Sequence, residues 1–171
     1  MPESTPYDEE RATYPRAALA RLVLSADAAE VTDAARALVG TRHDAYTGPG
    51  GRASEAGRVV DLAGRLLTSA VVYERERGAA WADIGGYLGL TAEEAERRYA
   101  PAVADWHAAL AAGRRPELPL AAYDPVRTIA RLDRWAYLQP GMNDRLAVSD
   151  GLHDYGDDLD DGAAGTDDGD V

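Results

Sequence analysis

Apolar positions along this chain recur at helical spacing, and no segment shows sustained alternation of apolar and polar residues with β-branched enrichment. Between Pro15 and about Val39, Leu19, Leu22, Val23 and Ala26 fall at i, i+3, i+4 and i+7. Val31, Ala34, Ala35 and Leu38 repeat the pattern out of phase. Asp27 followed by Glu30 has the form of a capping box, so one long helix with a phase slip and two helices broken near Ser25 both fit. Gly40 suits a C-cap. The Gly/Pro-rich stretch 41–52 reads as a loop. A second helix is predicted from about Ala53 to Arg77. Val59, Leu62, Leu66 and Tyr73 form one stripe, with Val60, Ala63, Leu67 and Val71 beside it. A face that wide is expected to pack against several neighbours. Glu74, Arg75, Glu76 and Arg77 read as a charged, exposed end, closed by Gly78.

Residues Trp81 to Tyr99 predict a short helix, a tight turn and a second helix. Trp81, Ile84 and Leu88 share a face, Gly89 permits the turn, and Leu90 plugs the corner. Thr91 and Glu94 form a T-x-x-E capping box. Ala95 is small where two helices cross, and Tyr99 continues the inner face. Pro101 marks either a kink or the first turn of a further helix reaching about Ala112. The stretch 113–123 reads as a loop. Asp124 followed by Pro125 predicts an N-cap with Pro at N1, opening a last helix to about Leu138.

The fold class is therefore all-α: a domain of five to six helices over 15–138, with a central helix-turn-helix at about 80–99. A flexible lead is expected over 1–14 and a disordered acidic tail over 139–171. Charge sharpens the last boundary. The chain has 30 acidic and 18 basic residues, all of the latter arginine, for a net charge of -12. Residues 138–171 carry ten acids and one arginine, so most of the imbalance lies there and the body is nearly neutral. That end is too poor in large apolar residues to offset the entropy of ordering.

The stretch 78–99 resembles the helix-turn-helix of small actinobacterial proteins with the signature Gly-x-Ser-Trp followed by Ile-Gly-x-x-Leu-Gly. Gly78, Trp81, Ile84, Gly85, Leu88, Gly89 and Ala95 carry the resemblance, over about 25 residues. It implies that the second helix enters the DNA major groove with its first residues near base edges. The sequence departs from the pattern at Ala80, where an N-cap serine is usual. It departs again on the outer face of the second helix, where Glu93 and Glu96 replace polar or basic residues. Glutamate can accept from cytosine N4, and Arg97, Arg98, Arg75 and Arg77 are candidate phosphate contacts.

The expected function is a DNA-associated regulatory protein, with double-stranded DNA as partner. The alternatives are a protein-interaction adaptor that keeps the helix-turn-helix as a scaffold, and an acidic DNA-mimic inhibitor; a homodimer is open under each. No enzyme is expected, for the sequence has no G-x-S-x-G, Walker A, G-x-G-x-x-G or H-E-x-x-H motif. Asp105 and His107 are two apart on a helix and do not face each other. There is no cysteine, the three histidines are scattered, and the Asp-rich end lacks EF-hand spacing, so neither metal nor cofactor is expected. The first sixteen residues are unlike a signal peptide and no apolar run spans a membrane, which suggests the cytoplasm. Trp81, Trp106 and Trp135 read as packing anchors.

Overall fold

The computed structural model describes residues 6–41, 44, 47–142 and 144–152. Over these it is all-helical, and its elements include α1 (Pro6–Ala12), α2 (Arg16–Ala37), α3 (Gly51–Glu76), α4 (Trp81–Leu88), α5 (Ala92–Ala112), α6 (Leu120–Tyr123) and α7 (Pro125–Tyr137), with residues 149–152 helical as well. No helix among the described residues is long and apolar enough to cross a membrane.

Helices α2 and α3 pack along much of their lengths. On α2, Ala20 packs in one cluster with Val72 of α3, while Ala18 and Ala29 lie on the other side with Ala121 and Leu132. Farther out, polar groups tie the pair. Glu30 accepts from Arg58 at 3.3 Å and Arg65 at 2.7 Å, and Asp27 accepts from the Ser69 hydroxyl at 2.5 Å. Asp27 therefore bonds across to α3 instead of capping a new helix, and α2 runs unbroken past Ser25.

The core lies where α2, the C-terminal half of α3, α5, α6 and α7 meet. Leu19, Val72, Trp106, Ala109, Leu118 and Ala122 form one cluster. Ala18, Leu22, Ala29, Ala121, Leu132 and Leu152 form the next. The last helix follows its predicted cap, since the Asp124 carboxylate accepts from the Arg127 amide at 3.1 Å with Pro125 at N1.

Three expectations are corrected, and the two alternatives at Pro101 narrow to one. The lead contains α1, which is held by Tyr7 stacking on Tyr123 at 5.0 Å and by Arg11 donating to the Gly113 carbonyl at 3.3 Å. The stretch 113–123 contains α6 and contributes Leu118, Ala121 and Ala122 to the core. Pro101 lies inside α5 and does not open a further helix. Pro101 is exposed there and has no N–H, so the Arg97 carbonyl forgoes its helix bond. Finally, the ordered body does not stop at 138. Val148 and Leu152 pack beside Leu22 and Leu132, and Asp133 accepts from the amides of Val148 and Ser149. The rest of the expected tail, 153–171, lies outside the described residues.

Candidate nucleic-acid interface

The corner between α4 and α5 is built on glycine. Gly89 closes α4 with φ of 68°, the left-handed conformation that glycine adopts without penalty. The amides of Gly89 and Leu90 both donate to the Gly85 carbonyl, the latter at 2.9 Å. Gly85 lies directly under the turn: a Cβ there would stand 2.7 Å from the Leu90 carbonyl oxygen and 3.0 Å from that of Thr91. The third glycine of the stretch, Gly86, faces open space.

Thr91 caps α5 in both directions. Its hydroxyl accepts from the Glu94 amide at 3.2 Å, and the Glu94 carboxylate accepts from the Thr91 amide at 2.8 Å. These bonds, with the positive charge of Arg97 nearby, hold the Glu94 carboxyl below the usual carboxylate range. Glu94 is thereby committed to the cap. At the start of α4, Ala80 has no acceptor side chain, but Asp83 accepts from the Ala80 amide at 3.0 Å and supplies half of a capping box. This offsets part of the serine's absence.

Val71, Ile84 and Tyr99 form the buried centre of the unit, with Ala79, Trp81, Leu88 and Leu90 packed around it. Ala95 is fully buried, as the close crossing of α4 and α5 requires. Leu62 and Leu66 were expected on this face and are not part of the cluster. Leu62 is buried on the side of α3 that carries the polar ties to α2, because 62 follows 58 at one helical turn.

The candidate contact residues separate into engaged and open groups. Arg75 is engaged: it stacks over Trp81 at 4.5 Å and donates to the Ala79 carbonyl, locking the α3–α4 corner. Arg77 lies 5.4 Å over the Tyr73 ring and 3.5 Å from Glu74. Arg98 lies 5.3 Å over Tyr99, on the flank of α5, about 140° around the helix from Glu93. Glu93, Glu96 and Arg97 are exposed and share the outer face of the first turns of α5. Arg75 and Arg77 are thus engaged by neighbours of their own, and Glu93 and Glu96 adjoin Arg97 on the open face.

A second polar cluster escaped the sequence reading. Glu76 was expected at an exposed end, yet its side chain is only 4 % exposed. It accepts from Arg16 at 2.9 Å through both oxygens and lies 2.6 Å from His107 Nε2. Arg16 also approaches that nitrogen at 2.7 Å. One nitrogen cannot donate to Glu76 and accept from Arg16 at once; the buried carboxylate is the stronger acceptor, so the donor tautomer fits better. Burial pushes the Glu76 carboxyl upward, but the bonds from Arg16 and His107 outweigh it, and the group titrates below its usual range. The partners lie 60 and 31 residues away, beyond any local pattern.

No protein-family model, curated protein or solved structure matches this chain.

Proposed function

We propose that this chain is a non-enzymatic, DNA-associated regulatory protein of the cytoplasm, and that its α4–turn–α5 unit meets double-stranded DNA. The observation that carries the reading is the closed corner at Gly85, Gly89 and Thr91, which fixes α5 with Glu93, Glu96 and Arg97 facing outward. The resemblance to small actinobacterial helix-turn-helix proteins points the same way. In this reading Arg97 reaches a phosphate or a guanine edge, and Glu93 accepts from cytosine N4. Few arginines are open to displace counterions, so affinity should fall with salt by a log–log slope of only a few units.

A second reading is favoured by one observation: Glu93 and Glu96 flank Arg97, and Arg75 is withdrawn into the fold. A face of that charge suits a basic protein partner. The DNA-mimic variant rests on the acidic residues 153–171, outside the described residues.

Fluorescence anisotropy with mixed duplexes at two salt concentrations separates these readings, using the full chain and a form ending at Leu152. DNA association predicts binding that Arg97→Ala weakens, that Glu93→Gln strengthens non-specifically, and that loss of the acidic end tightens most at low salt. No binding by either form, to duplexes that include DNA from its own genome, removes the leading reading and favours the protein partner.

A further inference from the structure

The face of α3 turned away from α2 is apolar, exposed and unusually small. Ala53, Ala56, Val60, Ala63, Leu67 and Ala70 repeat at alternating steps of three and four, the a/d spacing of a helix–helix seam. Val60 is 71 % exposed and Leu67 36 %. The sequence predicts this face to be covered, yet among the described residues most of it is open, and α4 borders its C-terminal end as one wall of a groove.

Two glycines on the same face point to what covers the rest. Gly57 and Gly64 sit seven residues apart inside α3, where glycine costs about 0.5–1 kcal/mol relative to alanine. A Cβ on either would meet nothing within 4 Å. Nothing in the described fold requires a glycine at these positions, whereas a second helix passing close to the backbone would.

We propose that α3 pairs antiparallel with α3 of a second copy of this chain, forming a two-fold dimer. The pattern is self-complementary in that direction. With Val60 opposite Ala63 of the second copy, Leu67 meets Ala56 and Ala53 meets Ala70, so each large side chain faces a small one. Gly57 then lies across from Gly64. Charge agrees with the direction. The N-terminus of α3 starts at Gly50 with no side-chain cap and no acidic residue in its first turn. In the pair it reaches the second copy's groove between α3 and α4, about 450 Å³ in volume, where Glu74 and Asp83 stand beside Leu67 and Tyr87. Carboxylates at an uncapped helix start are favourable. Tyr87, 94 % exposed in one copy, becomes covered there. The dimer does not depend on DNA binding, although it would present two copies of α5.

Sedimentation velocity over a concentration series should show reversible self-association in the micromolar range. Gly64→Leu is the decisive variant. It has open space and a better helix former within its own chain, so the monomer should keep its helicity and melt no lower when dilute. It should nevertheless weaken association at least about tenfold. Val60→Glu should do the same. The chain has no cysteine, so a Val60→Cys/Ala63→Cys variant should give a disulfide-linked dimer on mild oxidation, while Ala108→Cys on exposed α5 should not. A wild-type chain that stays monomeric at all concentrations, or a dimer indifferent to Gly64→Leu, overturns the proposal.

Discussion

The carbonyl oxygen of Leu90 occupies the space that a Cβ on Gly85 would need, at 2.7 Å. Real Cβ atoms do not approach backbone oxygens that closely, so any other residue there must push the turn away from α4. Gly85→Ala should destabilise by about 1–3 kcal/mol despite the better helix propensity of alanine. Gly86→Ala, next along the same helix with nothing within 4 Å, should stabilise by about 0.5–1 kcal/mol. Thermal melts of the two variants should move in opposite directions.

Thr91→Ala removes the hydroxyl that accepts from Glu94 and should cost about 0.5–2 kcal/mol. Because the reciprocal bond orients the Glu94 carboxylate, its pKa should also rise toward the ordinary glutamate value. Carboxyl-resolved NMR titration reads both ends of the box. An unchanged Glu94 titration would mean that its low value does not come from this cap.

Glu76 ties stability to acid. Its folded pKa is lowered, so its contribution is fully present above the unfolded glutamate value and is lost as pH falls through the folded one. Denaturant melts should show stability falling in this acidic window, below the ordinary glutamate range. Glu76→Gln should cost about 1–3 kcal/mol near neutrality and flatten that part of the profile. The discount from a fully buried pair reflects Arg16 and His107, whose side chains are about half exposed.

Leu152 is buried beside Leu22 and Leu132. Leu152→Ala should cost about 2–5 kcal/mol, whereas ending the chain after Leu152 should leave the melting temperature nearly unchanged. A form cut at residue 139 should melt earlier than either, because it also loses Val148 and the amides held by Asp133.

Local rules carried much of this architecture into the sequence. The Thr91–Glu94 box, the Asp124 cap before Pro125 and the Trp81/Ile84/Leu88 face are each set by neighbours within a few residues, and each was readable. What escaped depends on distant partners. Helix α1 is too short to stand alone and is held by Tyr123 and Gly113, more than a hundred residues away. The stretch 113–123 looks like a loop because its Pro and Gly content hides Leu118, which is buried by tertiary packing alone. Arg75 is a free cation in the sequence and becomes a stacking partner only once Trp81 turns back beneath it. The outer face of α5 was legible residue by residue. That Arg75 and Arg77 are engaged by Trp81, Tyr73 and Glu74 emerged only when those neighbours were placed.

Helix α5 runs from Ala92 to Ala112 in one piece, capped by Thr91 and Gly113. Glu93 at its open end and Trp106 in the core are about 20 Å apart along a common axis. One continuous helix therefore joins the outward face of the candidate interface to the indole packed among Leu19, Val72 and Leu118. The weakest point lies between them, at Pro101, where one rung of the ladder is absent. The stretch that a ligand would touch and the stretch that holds the core together are thus two ends of one element, with buried Tyr99 between them.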